Sequence, residues 1–193
     1  MTPRAFAPPL ALLLSACASA PFTAAPIDAD RIPIVYGGGG AVQATFRVSP
    51  RDWQELVEMF APCGDAAAER RAVRAAIGRM EQIAGEQTIT WMDKACNGNG
   101  GPTLQGQMDC VDESTNTDVY LHLFEQRGLL RFHRVLRPVW RAPHLVDTHR
   151  TAVIQDTADG RRYAVDSWYL DNGFPAYVQP LDDWIRKVPF PQE

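Results

Sequence analysis

The sequence predicts an α+β fold in which helices precede an antiparallel sheet. Three stretches carry apolar residues at helical spacing, at residues 50–60, 66–84 and 110–126. The later part of the chain consists of short apolar or alternating runs separated by turn residues, which predicts a strand over 130–141 and a hairpin over 149–168. We therefore expect N-terminal helices packed on a sheet that the C-terminal half supplies.

Composition limits the class of protein. The 193 residues are enough for one domain with a sizeable core. A hydrophobic fraction of 46% and a charged fraction of 22% are typical of a globular protein and exclude a multi-span membrane protein, a collagen-like repeat and a wholly disordered chain. With 23 acidic against 19 basic residues, no nucleic-acid partner is expected.

The N-terminus predicts a lipoprotein signal peptide over residues 1–17. Arg4 precedes the apolar run Leu10–Leu14, which is too short to span a bilayer as a stable helix. Leu14-Ser15-Ala16-Cys17 resembles the bacterial lipobox, in which the cysteine becomes the lipidated first residue of the mature protein. The alternative is an ordinary secretory signal that is cut nearby, at Ala20.

The resemblance to the lipobox implies a protein of the periplasm that is held to a membrane by its N-terminal lipid. Ala18 stands where an inner-membrane retention signal would carry Asp, which favours the outer membrane. Residues 18–30 are small, contain proline and have little apolar bulk, as a flexible tether requires. The remaining residues, 31–193, are expected to form one domain.

Capping residues set the helix boundaries. Ser49-Pro50 supplies an N-cap and a proline at N1 for the first helix, and Asp65 caps the second, which Gly85 ends. The four-glycine run Gly37–Gly40 lacks the Gly-Lys-Ser/Thr ending of a phosphate loop, since Ala41-Val42-Gln43 follows, and therefore predicts a turn.

The third helix and the strands follow from similar signals. A largely buried helix is predicted from Cys110 to Gln126, ended by Gly128. In the strand over 130–141, the even positions are expected to face inward and the odd-numbered arginines to face solvent, with Pro138 at an edge or a bend. The hairpin joins 149–155 to 160–168, and a short helical turn around 182–187 closes the chain.

Cys110 is the candidate nucleophile. A thiol at a helix N-terminus gains from the unpaired N–H groups there, which stabilise the thiolate. The neighbouring acids Asp109, Asp112 and Glu113 act against this by repulsion, so the thiolate needs a cationic partner. Protonated histidine is the usual partner, and His149 begins the predicted hairpin.

Asp166 is the candidate third member. If Gln155 pairs with Gly160 across a four-residue turn, the same register places His149 directly opposite Asp166, close enough to orient the imidazole. The alternative interpretation makes Cys110 a packing residue and the histidine and aspartate surface or packing residues.

Three segments together resemble the transglutaminase-like cysteine proteinases of bacteria. They are Asp109-Cys110-x-Asp112-Glu113, the stretch His149–Ile154 and Tyr163-Ala164-Val165-Asp166. The resemblance implies a papain-like fold, a catalytic triad of Cys110, His149 and Asp166, hydrolysis of a peptide or amide bond, and no cofactor or metal. Glu113 stands where the family usually carries an aromatic residue, and the lipidated N-terminus is a second departure.

Two other functions stay open. An NlpC-type peptidoglycan endopeptidase or amidase also pairs Asp-Cys with a strand histidine, although Val111-Asp112 stands here in place of its Ser-Gly. A non-catalytic lipoprotein that binds a partner or a cell-wall component is the other alternative. The expected partner is a protein or peptide substrate, including a peptidoglycan peptide.

Gln105 and Gln107 are candidate oxyanion donors beyond the backbone N–H of Cys110.

The remaining cysteines predict a disulfide. With Cys17 lipidated and Cys110 needed as a thiolate, Cys63 and Cys96 are the spare pair in an oxidising compartment, and two free thiols are the alternative. No metal site is expected, because His122, His133 and His144 show no ligand spacing and the loop 93–104 has Leu104 where a calcium loop needs glutamate.

Overall fold

A computed structural model describes residues 26–97, 105–142 and 148–190. Within these ranges the chain is a mixed α+β protein with four α-helices, a two-stranded hairpin and a four-stranded antiparallel sheet. The elements in chain order are β1 (Ile32–Tyr36), β2 (Val42–Phe46), α1 (Pro50–Phe60), α2 (Ala66–Gly85), a 3₁₀ turn (Ile89–Met92), α3 (Cys110–Gln126), β3 (His133–Arg141), β4 (His149–Asp156), β5 (Arg162–Asp166), β6 (Tyr177–Pro180) and α4 (Leu181–Ile185).

The helices begin where the capping residues predict. The Ser49 hydroxyl accepts the amide of Asp52 at 3.2 Å to start α1, and the Asp65 carboxylate accepts the amide of Ala68 at 2.7 Å to start α2. The predicted bounds of α3, from Cys110 to Gln126, are confirmed. Its N-cap is Asp109, which accepts the amides of both residues that follow Cys110.

The four-stranded sheet has the order β3-β4-β5-β6, with α3 packed on β4. The predicted bend at Pro138 is confirmed, because the pairing of β3 with β4 shifts between Leu136 and Val139 on this edge strand. The predicted inward face of β3 is wrong: Trp140 is exposed, while His133 and Arg141 are buried. The change of register within the strand breaks the simple alternation of its two faces.

The predicted register of β4 and β5 is wrong by two residues. Gln155 pairs with Arg162, not with Gly160, and Ala152 pairs with Val165. The Asp156 amide also donates to the carbonyl of Arg161 at 2.8 Å, so the loop of the hairpin comprises residues 157–160. His149 is consequently diagonal to Asp166 and not directly opposite. Because the shift is an even number of residues, both side chains still face the same side of the sheet.

The glycine run forms the turn between β1 and β2. All four glycines from Gly37 to Gly40 have positive φ, a region that residues with a side chain rarely adopt. The β1–β2 hairpin itself was not predicted. It packs against α3, which places the glycine turn beside the start of that helix.

The core lies between the helices and the sheet and includes residues from α1, α2, α3, β4 and β5. Part of the predicted tether joins this body, since Ile27 packs on the core and the Ala29 carbonyl accepts the amide of Val48 at 3.3 Å. Within the described ranges, no helix has both the length and the apolar character that crossing a membrane requires. Cys17, the rest of the predicted signal peptide and His144 lie outside the described residues.

Candidate active site

Cys110 is half-buried at the first position of α3. Of the amides in the first turn, those of Val111 and Asp112 donate to the Asp109 carboxylate, and that of Glu113 donates to the Asp109 carbonyl. The Cys110 N–H makes no bond to any residue of the described ranges. This donor therefore remains available beside the thiol.

His149 and Asp166 meet at the same end of the sheet. His149 is the first residue of β4 and Asp166 the last residue of β5. The His149 Nε2 and Asp166 Oδ2 atoms are 2.8 Å apart, and the two residues are 4% and 2% exposed. A carboxylate in this place fixes the orientation of the ring.

The thiol of Cys110 contacts the same imidazole. Burial by itself would lower the pKa of His149, but hydrogen bonds from the ring to the Asp166 carboxylate and to the Cys110 side chain outweigh it and raise the pKa to about 9. The ring therefore carries a proton at neutral pH. The structure thus brings together all three residues that the sequence singled out.

Three aromatic side chains surround the imidazole, and the sequence did not predict them. The centroids of Trp168, Tyr169 and Trp184 lie 4.7, 5.3 and 5.6 Å from that of His149. The indole N–H of Trp184 also donates to Asp166 Oδ2 at 2.7 Å, so this one oxygen is bonded to both rings. Trp168 and Tyr169 follow Asp166 closely in sequence, whereas Trp184 comes from α4 and no sequence pattern connects it to the site.

Arg141 holds two of these aromatic residues. Its Nη2 donates to the Tyr169 hydroxyl at 2.5 Å and its Nη1 to the Trp184 carbonyl at 2.5 Å, while its guanidinium stacks on the Trp184 ring at 4.4 Å. It pairs directly with His149 in the sheet. Arg141 is thus part of the wall behind the imidazole and not the solvated residue that was predicted.

Arg150 joins the histidine strand to the cysteine helix. Its Nη1 donates to Thr115 Oγ1 at 2.7 Å and to Ser114 Oγ at 3.1 Å, and the Ser114 hydroxyl in turn donates to the Cys110 carbonyl at 2.6 Å. Arg150 directly follows His149. This chain of bonds fixes the distance between the two elements that carry the thiol and the imidazole.

The acids beside Cys110 bind the glycine turn. Asp112 accepts the amides of Gly38 at 2.7 Å and Gly40 at 2.6 Å, and Asp109 accepts that of Gly39 at 2.9 Å. Both carboxylates are thus engaged by N–H donors, which disperse the negative charge that was expected to repel a thiolate. The glycines give these donors their direction through their positive φ.

A cluster of buried carboxyls lies behind the site. Glu113 hydrogen-bonds with Asp93 and accepts the Ser167 hydroxyl at 2.5 Å, while Glu81 accepts the Gly173 amide at 2.8 Å. Burial raises the pKa of Asp93 to about 6 and that of Glu81 to about 8, and burial together with Glu81 and Asp93 raises the pKa of Glu113 well above its usual range. Two carboxyl groups can hydrogen-bond only if one is protonated, and Glu113 is that one.

Of the candidate oxyanion donors, Gln107 is committed elsewhere. Its Nε2 donates to the Met92 carbonyl at 2.6 Å and its Oε1 accepts the Lys94 amide at 3.2 Å. These bonds shape the segment that leads into Cys110 and do not point to a role in catalysis. Gln105 is exposed in a turn.

The predicted Cys63–Cys96 disulfide is not present, and both residues are free thiols. Cys63 is buried after α1, where its Sγ contacts the Met59 carbonyl at 3.8 Å. Cys96 is exposed, and its amide donates to the Trp168 carbonyl at 2.8 Å, which places it beside Trp168. The two residues belong to separate environments, which sequence distance alone does not reveal.

The other described histidines have carboxylate partners. His133 Nδ1 is 2.8 Å from the buried carboxylate of Glu69, which also accepts three backbone amides. His122 lies within 4 Å of Asp118 and Glu125 on its own helix. Across the described ranges, no group of three or more His, Cys, Asp or Glu side chains is arranged to hold a metal ion.

Comparison of the chain with protein-family models, with curated proteins and with solved structures finds no match.

Proposed function

We propose that this protein is a thiol hydrolase that cleaves a peptide or amide bond through Cys110, His149 and Asp166. The observation that carries the proposal is the hydrogen bonding of the buried His149 ring to both the Asp166 carboxylate and the half-buried Cys110 side chain. An imidazole that is held by a carboxylate and touches a thiol at a helix start is the arrangement that nucleophilic thiol catalysis requires. The order of the three residues in the chain also fits the resemblance to transglutaminase-like cysteine proteinases, and with it a papain-like architecture.

The first step is acylation. The thiol proton resides on His149, and because Asp166 engages Nε2, the proton has to occupy Nδ1. The thiolate of Cys110 attacks the carbonyl carbon of the scissile bond, and the carbonyl π electrons move to oxygen, beside the free Cys110 N–H. When the C–O double bond reforms, the C–N bond breaks, the nitrogen takes the proton from His149, and the amine leaves behind a thioester.

The second step is hydrolysis of the thioester. His149, now neutral, removes a proton from water, and the resulting hydroxide oxygen attacks the thioester carbon. The C–S bond breaks, the acid product leaves, and the thiolate again pairs with the protonated imidazole. Asp166 keeps the ring in one orientation through both steps.

Alkylation with chloroacetate tests the thiolate–imidazolium pair without a known substrate. The thiolate is the reacting species, and the imidazolium attracts the anionic reagent, so we expect Cys110 to be labelled at pH 6 and labelling to decline as His149 loses its proton near pH 9. Cys96 is the internal control, because burial, with a contribution from Asp166, raises its thiol pKa. Peptide mapping that finds Cys96 labelled first at pH 6 would contradict the proposal.

Substitution of each of the three residues is expected to reduce the rate of hydrolysis to a different extent. Cys110→Ala is expected to abolish hydrolysis of a peptide library, His149→Ala to reduce it nearly as much, and Asp166→Asn to reduce it less, by about 10³- to 10⁴-fold. If the residues serve packing alone, Asp166→Asn and His149→Ala will instead lower the melting temperature while Cys110→Ala changes little.

Digestion of purified peptidoglycan separates an NlpC-type activity from a general peptidase.

We also propose that the protein is a periplasmic lipoprotein, anchored through Cys17. The support is the lipobox resemblance of Leu14-Ser15-Ala16-Cys17. Cys17→Ser is expected to leave an unprocessed precursor that no longer partitions into detergent with the membrane fraction. Unchanged partition of a mature-sized Cys17→Ser protein would favour an ordinary secretory signal.

A further inference from the structure

A second concave site lies at the C-terminal end of α2. It is an open hollow of about 460 Å³, lined by Gln82, Gly85, Glu86, Trp91 and Asn172. None of the triad residues lines it. One aromatic ring and four polar or small residues make up its wall.

Trp91 supplies an aromatic face. It is 63% exposed, although it is among the largest apolar side chains of the protein. Gly85 lets the walls come close, because a Cβ at this position would lie 3.1 Å from both the Trp91 Cβ and the Asn172 Nδ2. An exposed indole in a concave wall offers its π face to a ligand.

The remaining lining side chains carry amide and carboxylate groups. Asn172 Oδ1 is buried and has no hydrogen-bond partner in the described ranges. Gln82 donates its Nε2 to the Gly173 carbonyl at 2.9 Å, which leaves its Oε1 to accept. Glu86 adds a carboxylate that is largely exposed. Its ion pair with Arg79 Nη1 is loose, at 3.7 Å.

The lining therefore combines an indole face, a carboxylate and two side-chain amides, with no lysine or arginine. A guanidinium or ammonium group carries a positive charge, which suits the Glu86 carboxylate and the aromatic face together.

The hollow is connected to the candidate active site by two neighbouring segments. The Asn172 amide donates to the Asp93 carbonyl at 3.3 Å, and the Ala95 amide donates to Asp171 Oδ1 at 2.9 Å. Farther along, the Cys96 amide donates to the carbonyl of Trp168, whose ring packs against His149. The segments 91–96 and 168–172 thus supply Trp91 and Asn172 to the hollow, and they also supply Trp168, which packs against His149 in the candidate active site.

We propose that this hollow binds an arginine or lysine side chain of the polypeptide substrate. The assignment of the ligand to a substrate rests on the proposed hydrolase function, whereas the binding of a cationic side chain does not. The positive group would lie against the Trp91 indole and donate to the exposed Glu86 carboxylate. The hollow would thus select basic residues at a fixed number of positions from the scissile bond.

Titration of the Cys110→Ala protein tests binding apart from chemistry. The ligands are Nα-acetyl-arginine methylamide and its neutral isostere Nα-acetyl-citrulline methylamide. Affinity is measured by isothermal titration calorimetry, and the site of binding is identified through the NMR signals of the tryptophan indole N–H groups. We expect the arginine ligand to shift the Trp91 signal and to bind at least 10-fold more tightly than the citrulline ligand. Trp91→Ala is expected to abolish the effect and Glu86→Gln to weaken it several-fold.

Trp140→Ala is the matched control, because Trp140 is 56% exposed but lies on β3, away from the lining residues. Equal binding of the arginine and citrulline ligands, or equal loss in the Trp91→Ala and Trp140→Ala proteins, would overturn the proposal. Binding of N-acetylglucosamine oligomers at Trp91 in place of the arginine ligand would overturn it in favour of a glycan.

The two proposals fail separately. If chloroacetate labelling shows no reactive Cys110 but the arginine ligand binds at Trp91, the hydrolase function is wrong and the cation site stands. If Cys110 reacts as expected but peptides with arginine or lysine are cleaved no faster by the native protein than by Trp91→Ala, the hollow plays no part in substrate selection.

Discussion

At the scale of single residues, one carboxylate oxygen, Asp166 Oδ2, joins the imidazole to the aromatic residues around it. It is bonded to His149 Nε2 at 2.8 Å and to Trp184 Nε1 at 2.7 Å. Trp184 is fully buried, and its ring stacks on Arg141. We regard Trp184 as a positioning residue, because its N–H acts on the imidazole through the carboxylate and its ring packs beside the imidazole.

The first prediction concerns Trp184→Phe, which keeps an aromatic ring but removes the N–H donor. A carboxylate that loses a donor becomes more basic and stabilises the imidazolium more strongly, so the pKa of His149 rises above about 9. We expect the alkaline decline of chloroacetate labelling at Cys110 to move up by about one pH unit.

Trp140→Phe serves as the control for this prediction, since Trp140 is exposed on β3 and is expected to leave the profile unchanged. A Trp184→Phe protein that loses stability but keeps the wild-type pH profile would show that the indole has a packing role alone.

At the scale of elements, the start of α3 is held from two sides. The glycine turn between β1 and β2 binds it through Asp109 and Asp112, and β4 binds it through Arg150. The turn contributes only backbone donors, so its contact with the helix depends on the two carboxylates. Cys110 lies between these carboxylates, and its position therefore depends on the same bonds.

The second prediction concerns Asp112→Asn. Asp112 accepts two glycine amides, one on each carboxylate oxygen, whereas asparagine has one acceptor oxygen and would turn its NH₂ group toward the other N–H. Leaving a half-buried donor unpaired costs about 1 kcal/mol, the low end of the range for a buried donor, which urea unfolding would measure. Asp182→Asn is the matched control, because Asp182 is exposed in α4. Equal stability of the two variants would contradict this account of the turn.

The sequence specified individual elements better than the pairing between them. The bounds of α3 were predictable because Asp109 and Gly128 are local signals for a helix start and stop. The register of β4 and β5 was not, because it depends on where the turn after Asp156 closes. The same-face placement of His149 and Asp166 survived that error only because the shift was by two residues.

The candidate site was predictable in its reacting groups and not in its surroundings. Cys110, His149 and Asp166 carry recognisable chemistry at the ends of elements. Trp184 lies on a helix too short for any periodic pattern. Arg141 has the composition of a surface residue, and only the tertiary structure shows that it is buried.

At the scale of the whole molecule, the buried carboxyls connect elements that are distant in sequence. Glu81 lies on α2, Asp93 follows the 3₁₀ turn, and Glu113 lies on α3. Ser167, which directly follows Asp166, donates to Glu113, and Thr117 is 3.1 Å from the same serine hydroxyl. The cluster therefore joins the body of helices to the segment that carries the triad acid.

The last prediction concerns the stability of this assembly as the pH rises. Burial raises the pKa of Glu81 to about 8 from an ordinary value of 4.5. Between these two values the native state holds a proton that the unfolded chain has lost, so the free energy of unfolding falls as the pH rises from about 4.5 to 8. One such proton gives a slope of about 1.4 kcal/mol per pH unit.

Glu81→Gln tests this prediction, because glutamine cannot lose the proton and its Oε1 can still accept the Gly173 amide that Glu81 accepts. The groups that face Glu81 (Asp93, Glu113, Ser167 and the buried Tyr120) are the same in both proteins. We expect urea unfolding at pH 5 and pH 8.5 to show a smaller loss of stability for Glu81→Gln than for the native protein. Equal losses would mean that Glu81 is already ionised in the folded state, and the proton shared within the cluster would then belong to Glu113 and Asp93 alone.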